Sequence, residues 1–149
     1  MFENADTRDA VHSLLEGWTN DPGQAKRAFT LLKDRLLEKE NAILSFKARP
    51  GVSFSLRATV ASGNGKARPL FVMVDVIDDD PENRWLSICF YEDMITDPDE
   101  AGDLVPEGLL GEDGYCFDLY EYDESMISYI ADRIDEAHAH MGSATRGSS

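Results

Sequence analysis

Histidine, cysteine and glycine-rich motifs are scarce in this chain, and each shortage closes off a kind of chemistry. There are three histidines and two cysteines in 149 residues. His12 falls beside the apolar stripe of a predicted helix, while His138 and His140 are two apart on another and cannot share a helical face. No Gly-x-Ser-x-Gly, His-Glu-x-x-His or glycine-rich phosphate loop occurs, so no nucleophile, metal or nucleotide motif is present and no cofactor is expected. Cys89 and Cys116 lie inside apolar runs at a spacing that fits no zinc pattern; two reduced core thiols are the expectation. No apolar run approaches the roughly 20 residues that span a bilayer. The polar, acidic start, Met1 to Asp9, lacks the apolar core of a signal peptide, and a cytoplasmic protein without membrane contact is expected.

Positive charge is also in short supply, and its distribution is informative. Lys and Arg number 14 against 29 Asp and Glu, a formal charge of -15. From Lys26 to Arg68 there are ten basic and three acidic residues; from Pro69 to Glu136 there are two and 21. Between Trp85 and Asp132 no Lys or Arg occurs among 14 acidic residues. This excess repels phosphates and argues against nucleic-acid binding. It permits a basic protein partner.

What is present reads as a single α+β domain over residues 1–141. Val11, Leu14, Leu15 and Trp18 form one helical stripe, with Asp6 as its expected N-cap. Asp21-Pro22-Gly23-Gln24 predicts a second helix with the stripe Ala25, Ala28, Phe29, Leu32 and Leu36, completing a helical hairpin. Strands follow over Ala42 to Ala48, Val52 to Val60, Leu70 to Ile77, Trp85 to Tyr91 and Tyr115 to Tyr122, with tight turns at Arg49-Pro50-Gly51 and Ser62-Gly63-Asn64-Gly65. Asp123 caps a last helix whose stripe runs from Met126 to Met141. The expected sheet is mainly antiparallel and five-stranded, with the hairpin and the C-terminal helix packed on it. A disordered tail is expected over 142–149.

The segment Glu92 to Asp113 is long for a structureless loop. Its Leu104, Val105, Leu109 and Leu110 suggest a tethered lid over the bare sheet face. An EF-hand register from Asp97 fails, because Ala101 and Gly108 stand where oxygen ligands belong. Asp78, Asp79, Asp80 and Glu82 read as a solvated turn. Asp97, Asp99, Glu100, Asp103 and Glu107 are the candidate partner-binding residues. Asp75 and Asp118 lie in apolar strands and are costly to bury unpaired; with Arg57 and Tyr120 they are the candidate pocket.

In size, acidity and element types the chain resembles the bacterial secretion chaperones, which hold a partner chain on a sheet-and-helix surface. The likeness rests on those features and on no motif, and the paired N-terminal helices depart from the order usual there. The leading expectation is a non-enzymatic protein-binding or regulatory domain whose acidic face takes a basic partner, with a homodimer through the sheet as a further possibility. The alternative is a small enzyme or ligand-binding domain with a pocket between the sheet and the 92–113 loop.

Overall fold

A computed structural model describes residues 1–60 and 70–147, with side chains described through Met141. The elements are α1 (Ala5–Gly17), α2 (Ala25–Leu37), β1 (Ala42–Arg49), β2 (Ser53–Val60), β3 (Leu70–Ile77), β4 (Trp85–Tyr91), a 3-10 turn η1 (Glu92–Met94), β5 (Asp103–Leu109), β6 (Glu112–Leu119) and α3 (Glu124–Gly147). All six strands pair antiparallel in one sheet of order β1-β2-β3-β4-β6-β5. The α+β class is as expected, but the sheet has six strands where five were expected. The additional strand is β5, drawn from the second half of the acidic segment. The Ser62 to Gly65 turn lies outside the described residues. Of the expected tail, 142–149, the backbone through Gly147 continues α3, only Ser148 and Ser149 lie outside the described residues, and the side chains of 142–149 are not described.

The helices form for the reasons their stripes suggest, with small shifts at their starts. Asn4, not Asp6, caps α1, its side-chain oxygen accepting the Thr7 N–H at 2.8 Å. Asp6 falls in the first turn, where a negative charge suits the helix dipole. Pro22-Gly23 makes a turn ahead of α2, so the helix begins at Ala25, and Asp21 reaches in to accept the Lys26 N–H at 3.2 Å. Gly23 is required here, because a Cβ would lie 2.8 Å from the Tyr120 carbonyl oxygen; the Gly23 carbonyl accepts the Tyr122 N–H at 2.6 Å. Asp123 caps α3 as expected, accepting from the N–H groups of Ser125 and Met126.

Strand alternation assigns each residue to one sheet face. On the inner face Leu44, Leu56, Val74, Ile88 and Phe117 are dry beneath the helical stripes of Val11, Phe29, Leu32, Ile130 and Ile134. Burying each such side chain contributes roughly 1.5–3 kcal/mol, so this layer is the main source of stability. α2 is fastened to α3 by Arg35, which donates to both oxygens of Asp135 at 3.2 and 2.6 Å, and by Lys39 on the same carboxylate.

At one end of the sheet Asp78 leaves the expected solvated turn and goes inside, only 3% exposed. Its carboxylate accepts from Arg84 Nε at 2.7 Å and from the Gly51 N–H at 2.8 Å. The Arg84 guanidinium also lies 5.4 Å from the Trp18 ring and 5.5 Å from that of Phe54. One buried ion pair thus joins the β1–β2 turn, the β3–β4 turn and the end of α1. Asp79, Asp80 and Glu82 stay exposed.

Both sheet edges are blunted. Phe2 bridges to Leu44, with Leu44 N–H on the Met1 carbonyl at 2.8 Å and Glu3 N–H on the Leu44 carbonyl at 2.9 Å, which covers the β1 edge. β5 carries Pro106, which has no N–H, an irregularity between Val105 and Leu109, and Glu107 at φ 56; each of these hinders further pairing. The β5–β6 connection is the two-residue turn Leu110-Gly111, with both residues at positive φ, 51 and 86. A two-residue hairpin of that kind favours Asn-Gly, and a leucine there bears steric strain.

Two outcomes follow for stability. Leu110→Asn should stabilise the protein by about 1 kcal/mol by relieving the left-handed strain of an exposed side chain. Asp78→Ala should destabilise it by about 3–5 kcal/mol, because Arg84 is left buried without its counter-charge. Denaturant unfolding of both variants measures this, and equal midpoints for Asp78→Ala and the parent would remove the ion pair from its role.

Candidate functional site: the open face of the sheet

The residues that alternate with the inner face compose a second face, and no element among the described residues covers it. Strand register sets them in rows. One row reads Lys47, Ser55, Asp75, Ser87 and Asp118. The next reads Ser45, Arg57, Met73, Cys89, Cys116 and Asp103. At the end nearer the Asp78 turn lie Arg49, Ser53, Ile77 and Trp85, with the Tyr120 ring 4.7 Å from that of Trp85. Ile43, Met73, Ile77 and Trp85 are only half buried, and Tyr120 is 64% exposed. The face is a mosaic of apolar and charged groups.

Two arginines lie down on it. Arg57 Nε donates to Ser55 Oγ at 3.2 Å and an Arg49 Nη donates to Ser53 Oγ at 3.3 Å. Both serines are buried, and the arginine stems lie against them. Asp75 stands opposite Ser55 in the middle of the sheet, and its Oδ1 is buried with no hydrogen-bond partner. Burial pushes its pKa up; a hydrogen bond from Ser55 and the charges of Arg57 and Arg49 only partly oppose this.

Three of the candidate pocket residues, Arg57, Asp75 and Asp118, therefore share one surface, and Tyr120 adjoins it at the Trp85 end. None of the four lines the two clefts described below. Asp75 and Asp118 are separated by Ser87 and stand two strand spacings apart, about 10 Å, too far to share a proton. His138 is held elsewhere, 2.8 Å from the Glu40 carbonyl and against Phe71. Clefts of about 500 and 600 Å³ lie away from this face, between the end of α1 and the β3–β4 turn and between α2 and α3.

The expected lid is not a lid. Its second half is β5, paired in the plane of the sheet, with Leu104 and Leu110 exposed and Leu109 buried. Its first half is strapped to α3. Thr96 donates both its N–H and its hydroxyl to Glu136, at 3.1 and 2.7 Å. Asp97 accepts the hydroxyls of Tyr115 at 2.6 Å and Tyr129 at 2.5 Å, and the N–H groups of Ala101 and Gly102 at 3.0 Å. Partial burial works to raise the Asp97 pKa, but these four donors outweigh it and bring it down to about 2. The same contact drives Tyr115 up to about 12. Of the candidate partner-binding residues, Asp97 is thus committed to internal contacts, whereas Asp99, Glu100, Asp103 and Glu107 are exposed. Asp103 alone of these belongs to the open face by register.

Sequence reasoning also missed the Cys89–Cys116 disulfide. The two cysteines are direct partners across β4 and β6 on this face. The expectation of two reduced thiols fails because spacing along the chain carries no register. A search of family models, curated proteins and solved structures gave no match to the chain.

The two aspartates titrate in opposite senses. Asp97 has a lowered folded pKa, so its contribution is present above the ordinary carboxylate value near 4 and is lost as pH falls through about 2. Asp97→Asn should cost roughly 1 kcal/mol at neutral pH, the low end for bonds to a charge because the site is partly exposed. Its melting curve should converge with that of the parent by about pH 2. Asp75 has a raised folded pKa, so its contribution is present in acid and lost as pH rises. Asp75→Asn should raise the melting temperature at pH 7 and lose that advantage in acid; a variant less stable than the parent at pH 7 would contradict this.

Proposed function

We propose that this protein is a non-catalytic protein-binding domain whose working surface is the open sheet face. One observation carries the reading: a six-stranded sheet has one face dried by three helices, while the other presents half-buried Ile43, Met73, Ile77 and Trp85 among charges. Apolar groups ringed by polar ones are the usual make-up of a protein interface, and tryptophan and arginine are enriched at its energetic centre. The half-buried Asp75 in mid-sheet, with its Oδ1 buried and unpaired, adds support, since a costly carboxylate persists more readily where a partner can use it.

The charge on this face is divided in sign, which bears on the expected acidic face for a basic partner. Basic side chains occupy β1 and β2, and Asp103 and Asp118 occupy β5 and β6. The acidic half is the part suited to a basic segment. The blunted β5 edge disfavours strand addition as the binding mode, which leaves the face.

Affinity capture with Trp85→Ala and Met73→Asp, at low and high salt, tests the reading. A partner using this face should bind at least about 30-fold more weakly to Trp85→Ala, the loss of an aromatic anchor. Its binding should also weaken in salt if the acidic half recruits it. Bound chains indifferent to both variants would place the binding surface elsewhere.

A further inference from the structure

Resting on the reading of the open face as a protein-docking surface, we infer that its occupant is a second copy of this chain. Two copies meet face to face about a two-fold axis parallel to the strands, so that Arg57 of each chain faces Asp118 of the other.

The inference comes from how charge is laid out across the strands. In spatial order the face carries Lys47 and Arg49 on β1, Arg57 on β2, Asp75 on β3, Asp118 on β6 and Asp103 on β5. It is basic along one side and acidic along the other. Two such faces can be brought together by a two-fold axis lying across the strands or along them. An axis across the strands sets β1 on β1 and β5 on β5, opposing like charges. An axis along the strands, between β3 and β4, sets β1 on β5 and β2 on β6. Each basic side then meets an acidic side, and the match occurs twice by symmetry.

The register supports the second arrangement in detail. With that axis, β2 of one copy overlies β6 of the other, and Ser55 lies opposite Asp118 in the same row. Arg57 already bends toward Ser55, donating to its hydroxyl at 3.2 Å. Its guanidinium is therefore pointed at the place the partner's Asp118 would occupy. Lys47 on β1 comes over β5, within one row of Asp103. Near the axis the half-buried Met73 meets β4 of the other copy, where Cys89 stands in the same row. The Arg57–Asp118 pairs thus flank Met73 and Cys89 at the axis, with Asp75 opposite Ser87 one row away.

The area is adequate. Six strands at about 4.8 Å spacing and eight residues at about 3.3 Å give a face of roughly 25 by 25 Å, or about 1,250 Å² over two copies. That is at the lower end of stable interfaces, which bury about 1,200–2,000 Å². Aligned sheet packing of this kind sets faces about 10 Å apart with strands near -30°.

Sedimentation equilibrium of the full chain at micromolar concentration tests the proposal with Arg57→Glu, Asp118→Arg, the double swap, and Met73→Asp. The parent should be a dimer. Each single charge reversal should weaken it at least about tenfold, and the double swap should restore it, because the reversed pair is again complementary. The restored variant also shows that the single variants were not merely unfolded. A parent that is monomeric throughout would overturn the second-copy inference and leave the docking face to its own capture test. A dimer unaffected by Met73→Asp would overturn the second-copy inference, since association would then use another surface, and would likewise leave the docking face to its capture test. A dimer that Met73→Asp breaks but the charge swap does not restore would overturn the axis assigned here.

Discussion

The pairing of β4 with β6 is the contact on which the rest of this molecule depends. The chain leaves β4 at Tyr91, runs out through β5 and comes back beside β4 as β6 from Glu112, and everything between is hung from that return. β5 exists only as the outer partner of β6. Asp97 keeps its donors because β6 supplies Tyr115 and α3, which follows β6, supplies Tyr129. The same register joins Cys89 to Cys116 and sets Asp118 beside Ser87. Remove that pairing and both the strapped loop and the acidic side of the open face lose their positions.

Because sheet order nearly follows chain order, a charge gradient along the sequence becomes a gradient across the surface. The basic stretch that ends at Arg68 supplies β1 and β2, and the acidic stretch after it supplies β3 to β6. The net charge of -15 conceals this arrangement. A surface of one sign repels its own copy, whereas a surface split into two signs can attract it in one orientation and resist it in another.

Much of the fold was legible in the sequence. The stripes of α1, α2 and α3 and the alternation of β2 fall where their periods place them, because period and burial are local properties. β5 was not legible: Pro106, Glu107 and Gly108 interrupt its pattern, and it forms because β6 offers a ladder that overrides weak propensity. The candidate residues Arg57, Asp75 and Asp118 came from asking which charges interrupt apolar strands, and that question has a physical basis. Asp97 was read as free because its sequence neighbours are acidic, although its partners lie 18 and 32 residues away. The disulfide and the burial of Asp78 were hidden for the same reason: both depend on which strands and turns become neighbours.

The blunted edges bear on the size of any assembly. A strand edge left open can always accept one more chain, and repetition of that contact leads to fibres. Here Phe2 occupies one edge and Pro106 interrupts the other. A face joined through a two-fold axis is fully used once two molecules have met, so growth stops at that point. Docked on a second copy as proposed, the sheet would form a finite particle and not an open polymer, even at high protein concentration.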